Sequence, residues 1–224
     1  MVRSKRISMT TDASGAWHAA REGLLVMVVD VIDMSTTLES ALDVGAYRVL
    51  GASPDFTRAP VRVYPEFIGR EAARLAREAG TGIVIVSEPR VGSDEERLDR
   101  CRGLVRGIEI EKGCIEAVVP NLGAETPRLA EMRDRVVVAV TDTGGVAFDA
   151  AFQEQRDVIT GTVARTLAQK GLQPALTAVR RARELVGDKE GIAVVAASRN
   201  SQEDILAAQF IASLLVGELP DIQP

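Results

Sequence analysis

Leu24-Leu25-Val26-Met27-Val28-Val29, followed by Asp30-Val31-Ile32-Asp33-Met34-Ser35-Thr36-Thr37, is the stretch that decides the fold. Six apolar residues run without polar alternation, the mark of a strand covered on both faces. The run is far too short to cross a bilayer. The polar residues behind it lead into a helix over Leu38–Val44, closed by Gly45, and a second strand follows at Tyr47–Gly51.

The same alternation continues down the chain. A helix is expected over Glu66–Ala79, ended by Gly80, and strands at Gly82–Ser87 and Val136–Val140. Further elements are a short helix at Arg128–Met132, a helix from Val146, a short strand at Asp157–Thr160 and a helix at Leu172–Val186. A strand at Ile192–Ala197 and an apolar helix at Asp204–Val216 close the series. Ile108–Val119 holds a strand or two, and Glu88–Val105 is too charged to place. Strands separated by helices require crossover connections, hence an α/β protein of three-layer α/β/α type with a largely parallel sheet. Val26–Gly51 and Val138–Gly161 both run strand, Asp/Thr-rich turn, helix, strand. Either a duplicated module or the ordinary repetition of βαβ units accounts for that echo. The expected organisation is a polar segment at 1–20 and one α/β unit at 21–224, with intimate lobes at 21–120 and 121–224 as an option.

Composition narrows the chemistry. A chain of 224 residues, 46% apolar and 26% charged, buries a full core without disulfides. The net charge of −5 argues against nucleic acid or an anionic membrane as the main partner. Met1–Ala20 has no apolar core and reads as neither signal peptide nor anchor, so a cytoplasmic protein is expected. His18 is the one histidine, and Cys101 and Cys114 are the two cysteines, too few for a Cys/His zinc site or a credible histidine triad. Any metal would be held by carboxylate oxygen, which selects Mg²⁺. Arginine makes up 23 of the 27 basic residues, and its planar fork suits phosphate and carboxylate.

Ligands in open parallel sheets bind beyond the carboxyl ends of the strands. Four loops leave such ends. In the first, the two acids Asp30 and Asp33 could hold Mg²⁺, while Ser35, Thr36 and Thr37 open a helix. They form an anion cradle or simply cap it. In the second, Thr141-Asp142-Thr143-Gly144-Gly145, the glycines permit close backbone approach to a ligand, and a plain turn is the competing reading. The others are Ser87-Glu88-Pro89-Arg90 and Ser198-Arg199-Asn200-Ser201-Gln202-Glu203-Asp204, where Ser201 could cap with Asp204 near N3.

Asp30-Val-Ile-Asp-Met-Ser-Thr-Thr37, Ala41-Leu-Asp-Val-Gly-Ala46 and Tyr47-Arg-Val-Leu50 resemble the opening block of the 2-phosphosulfolactate phosphatases. That family shows Asp-Val-Leu-Arg-Ala-Thr-Thr-Thr, an apolar helix ending in Gly-Ala, and a short strand. Its later Thr-Thr-Asn-Gly-Thr is matched by Thr141–Gly145, its Gly-Glu in part by Ser87-Glu88, and its closing block by Val194–Ser198, Glu203-Asp204 and Ala207-Ala208. The blocks keep their order over about half of the chain. Three departures stand out: Asp33 replaces the family's arginine, Thr143 its asparagine, and Gly123–Pro127 lacks its aspartate.

The resemblance implies a Mg²⁺-dependent phosphatase acting on a small anionic phosphate ester, in the family's own case 2-phosphosulfolactate. Asp30, Glu88 and one of Glu203 or Asp204 would gather Mg²⁺ or position the attacking water, with Asp30, Glu88 and Glu203 as the metal set. Ser35, Thr36, Thr37, Thr141, Thr143 and Gly144 would hold the phosphoryl oxygens, with Arg90 or Arg199 on a second anion. A homodimer is an open option. The alternatives are a non-catalytic anion-binding or regulatory relative, and another hydrolase or transferase on the same scaffold.

Overall fold

The structure, a computed structural model, describes residues 5–217. It is α/β, with two four-stranded sheets in which every pairing is parallel. In chain order the elements are β1 (Arg6–Thr11), α1 (Asp12–Arg21), β2 (Leu25–Val29), α2 (Ser35–Asp43), β3 (Arg48–Ala52), α3 (Pro65–Ala79) and β4 (Ile83–Ser87). Then come α4 (Asp94–Asp99), α5 (Arg102–Ile110), β5 (Ile115–Pro120), a 3₁₀ turn (Gly123–Arg128), β6 (Val136–Val140) and α6 (Gly144–Glu154). β7 (Val158–Thr160), α7 (Gln173–Leu185), β8 (Gly191–Ala196) and α8 (Gln202–Val216) complete the fold.

One sheet has the order β1-β8-β2-β7 and the other β3-β6-β4-β5. Exchanging β2 for β6, β3 for β7, β4 for β8 and β5 for β1 converts one order into the other. The echo between Val26–Gly51 and Val138–Gly161 thus has a topological counterpart. β2-α2-β3 and β6-α6-β7 each start in the interior of one sheet and end at the edge of the other. The sheets do not divide the chain at 21–120 and 121–224, because each takes strands from both halves. This crossing ties the sheets together, and one continuous core fills the space between them. Val26, Val28, Ala193 and Val195 of the first sheet meet Phe148 and Phe152 of α6 and the strands of the second. On the outer face, Leu25, Met27 and Val29 pack with Ile192 and Val194 under α7 and α8. Adjacent residues of β2 therefore serve opposite faces, which is why its apolar run has no polar alternation.

Local chemistry explains the element ends. Pro65 opens α3 and Gly80, at φ 65°, closes it in the left-handed region. Ser93 and Glu96 form a reciprocal capping box on α4. Ser201 caps α8, accepting from the Asp204 N–H as its spacing predicts.

Two expectations are corrected and one open stretch is placed. The polar segment 1–20, whose first four residues lie outside the described ones, contains β1 and most of α1. Its buried face is built from Ala13, Ala16, Ala19 and Ala20, which pack closely without a strong apolar signal. The helix expected at Arg128–Met132 is replaced by the 3₁₀ turn just before it, where Pro127 has no N–H to donate. The charged stretch after Glu88 forms α4 and α5. Its Arg97 is buried because its guanidinium binds the Pro89 and Arg90 carbonyls and Asp94. Cys101 and Cys114 are both free thiols, and burial pushes the Cys101 thiol up to about 11. No helix among the described residues is long and apolar enough to cross a membrane.

Candidate functional site

The carboxyl ends of β2, β4, β5, β6 and β8 deliver their loops to one region beside the start of α2. At its centre lies Asp30, almost fully buried. One carboxylate oxygen accepts from the Thr143 hydroxyl at 2.8 Å and the Gly144 N–H at 2.6 Å. The other accepts from the Asp33 N–H at 2.9 Å. Asp30 thus caps α6 from across the sheet interface, neutralising the positive end of that helix with a carboxylate of the protein itself.

Gly144 and Gly145 allow the contact. A β-carbon on Gly144 would lie 2.8 Å from the β-carbons of both Asp30 and Met34, and one on Gly145 would strike the Ala52 carbonyl. The glycines admit protein, where the sequence suggested a ligand. Gly145→Ala is expected to cost about 3 kcal/mol, the upper end for overpacking, because the obstructing atom is backbone. Gly144→Ala, pressing on the β-carbons of Asp30 and Met34 and on the carboxylate that caps α6, should cost a similar amount, and urea denaturation midpoints of the two variants check this.

The hydroxyls are likewise engaged internally. Ser35 Oγ donates to the Val28 carbonyl and accepts from the Asp30 N–H, both at 2.9 Å, and is fully buried. Thr36 Oγ1 donates to the Val31 carbonyl at 2.6 Å, so its 2.9 Å contact with Thr162 must take the Thr162 proton. Thr37 Oγ1 donates to Asn121 Oδ1, and Asn121 Nδ2 donates to the Asp33 carbonyl. Thr141 Oγ1 accepts from the Gly145 N–H at 2.8 Å. These residues shape the walls of the site.

The groups that reach solvent are charged. Arg90 lies 3.1 Å from Asp33 and 3.5 Å from Glu88, and Arg100 pairs with Asp142 at 2.7 Å. The Asp33 carboxyl is raised by burial and by the neighbouring Asp30, against the pull of Arg90. Asp204, at the start of α8, accepts from the Val31 N–H at 2.9 Å. Burial first, then the charges of Asp30 and Asp33, push it from 3.8 up to about 6. Its folded carboxyl binds its proton more tightly than the unfolded one, so this group makes the protein lose stability as pH rises from about 4 to about 6. Asp204→Asn is expected to remove that slope and to keep the Val31 contact. Thermal denaturation across the same pH range tests this.

The structure therefore brings together Asp30, Glu88, Arg90, Thr143, Gly144 and Asp204 from the sequence-derived set. Two residues are engaged elsewhere: Arg199 binds Asp12 through its backbone N–H and guanidinium, and the exposed Glu203 sits beside the Ser201 hydroxyl. The trio Asp30, Glu88 and Glu203 is not assembled, and no group of three or more His, Cys, Asp or Glu among the described residues is placed to hold a metal ion. Glu203 follows the cap Ser201 by two positions, so α8 turns its side chain away while Asp204 faces β2. Reasoning from sequence missed Asn121 and Arg100. Asn121 follows the strand Ile115–Pro120 and could have been found as a polar strand end, whereas Arg100 stands in the stretch whose charge hid its helices.

No family model matches the chain, and no curated protein matches it.

Proposed function

We propose that this cleft binds a small phosphate monoester together with Mg²⁺ and hydrolyses it. The carrying observation is the charge balance of the cleft: at its mouth Asp33, Glu88 and Asp142 outnumber Arg90 and Arg100, and the buried Asp30 and Asp204 lie behind them. Such a surface repels an unescorted phosphate dianion but suits one that arrives with a divalent cation. Mg²⁺ typically takes one or two protein carboxylates and completes its shell with substrate oxygens and water. Asp33 and Glu88, sharing Arg90 and open to solvent, fit that smaller donor set. When bound, the cation would neutralise charge on the phosphoryl oxygens.

The chain's own groups have distinct tasks in this reading. Arg100, partly exposed and paired with Asp142 through one terminal nitrogen, would offer its other terminal N–H groups to an oxyanion. Arg90 holds Asp33 and Glu88 in place. Asp30 and Asp204 fix the loop that carries Asp33 to α6 and α8. The ordered motifs shared with the 2-phosphosulfolactate phosphatases also support the reading, and they suggest 2-phosphosulfolactate for the first trial.

Phosphate release from a panel of monoesters, with Mg²⁺ and with chelator, tests the proposal. Release that requires Mg²⁺ is expected. Asp33→Asn should raise the Mg²⁺ needed by at least the roughly 10–100-fold typical of losing an outer-sphere partner. Absence of release from every ester would overturn it.

The engagement of Ser35, Thr36, Thr37 and Thr141 in internal bonds favours a second reading, an anion-binding relative without turnover. Thermal stabilisation by an ester that is never hydrolysed would select it.

A further inference from the structure

On the opposite side of the strands from this cleft, a groove of about 300 Å³ opens between the edge strands β3 and β7. It lies where Leu25, Arg48 and Val158 begin their strands, whereas the cleft lies where strands end. Its floor is apolar, from Leu50, Phe152 and Val158, and its rim carries Arg48, Arg74, Arg156 and Arg181 against only Glu71 and Asp157. That volume is at the small end for organic ligands.

The two acids are already matched. Glu71 accepts from Arg74 Nε at 3.0 Å, and Asp157 pairs with Lys189 at 2.7 Å. Arg181 is held by the buried Glu39 and the Thr160 carbonyl, but its own buried Nε lacks a hydrogen-bond partner. Arg48 and Arg156 have no ion pair among the described residues. Arg156 lies over the rings of Phe67 and Phe152, at 4.1 and 4.9 Å, and spends one of its five donors on the Phe152 carbonyl. Its guanidinium is partly stripped of water, which works against its charge, and the nearby charge of Glu71, already hydrogen-bonded to Arg74, offsets this only in part. Four guanidiniums, two of them without an ion pair among the described residues, around an apolar floor are complementary to an organic anion.

We propose that the groove is a second ligand site, for a small organic anion whose apolar body rests on Leu50 and Phe152. Its carboxylate or phosphate group is bound by Arg156 and Arg48. The site does not depend on the activity of the cleft.

Calorimetric titration of the full chain in chelator, with phenylacetate, phenylphosphonate and neutral phenylacetamide, tests this. At least one anion is expected to bind. Arg156→Gln and Arg48→Gln should each weaken it by about tenfold, the value of one charge-assisted hydrogen bond. Asp33→Asn in the cleft should leave it unchanged. Phenylphosphonate binding alone assigns phosphate esters, and phenylacetate binding alone assigns carboxylates. Equal binding of phenylacetamide, no binding of either anion at millimolar concentration, or wild-type affinity in both arginine variants would overturn the proposal. Arg48 is exposed, so its variant remains informative if Arg156→Gln fails to fold.

Discussion

Glu39→Ala is expected to destabilise the protein by about 3–5 kcal/mol, the cost of breaking a buried ion pair from one side. Glu39 lies on α2 and is 3% exposed. Its carboxylate accepts from Arg181 of α7 and, at 2.6 Å, from the hydroxyl of Thr160 in β7. It thereby ties a helix that connects the two sheets to an edge strand of one of them. Truncation leaves the Arg181 guanidinium without its counter-charge and a buried hydroxyl without its acceptor. Glu39→Gln keeps an acceptor for Thr160 and should lose less. Urea denaturation reads both, and a Glu39→Ala value within about 1 kcal/mol of wild type, the range of a surface pair, would show that the pair does not hold the fold together.

Asp30→Ala is expected to cost about 4 kcal/mol. Its carboxylate accepts three hydrogen bonds, from the Asp33 N–H, the Thr143 hydroxyl and the Gly144 N–H. Charge-assisted bonds contribute roughly 1.5–3 kcal/mol each, and their donors would be stranded in a buried place. Asn cannot substitute, because donors approach both oxygens and an amide would turn its NH₂ toward one of them. Asp30→Asn should therefore fall closer to Asp30→Ala than to wild type, with phosphate release lost in both. An Asp30→Asn protein of wild-type stability would show that the α6 cap is not a carboxylate requirement.

Much of the strand and helix plan was legible because each signal is local. The uninterrupted apolar runs at Leu24–Val29 and Val136–Val140 are strands buried on both faces. Gly80 stops α3 through its own backbone, and Ser201 caps α8 through its neighbours. α1 escaped notice because alanine buries well while contributing little apolar contrast, and β1 because, as a partly exposed edge strand, it has only Ile7 and Met9 as apolar residues. α4 and α5 escaped because Arg97 satisfies backbone carbonyls inside the protein, so its charge gave a misleading impression of exposure.

The candidate site was legible only as a set of polar loops at strand ends. Asp30 looked like a metal ligand because an acid after a buried strand suits one. Its donors are 3 and over 100 positions away, and nothing in their spacing shows that they meet. The same holds for Thr37 with Asn121 and for Val31 with Asp204.

By itself, then, Leu24–Thr37 determined that a buried parallel strand delivers acids and hydroxyls to a helix start, since periodicity and capping are properties of neighbouring residues. Tertiary structure alone decided that there are two parallel sheets, that they exchange β2 and β6, and that Asp30 is the cap of a helix more than a hundred residues on. Those outcomes depend on which distant donors and apolar faces are brought into contact, and a carboxylate's role follows from what surrounds it in space.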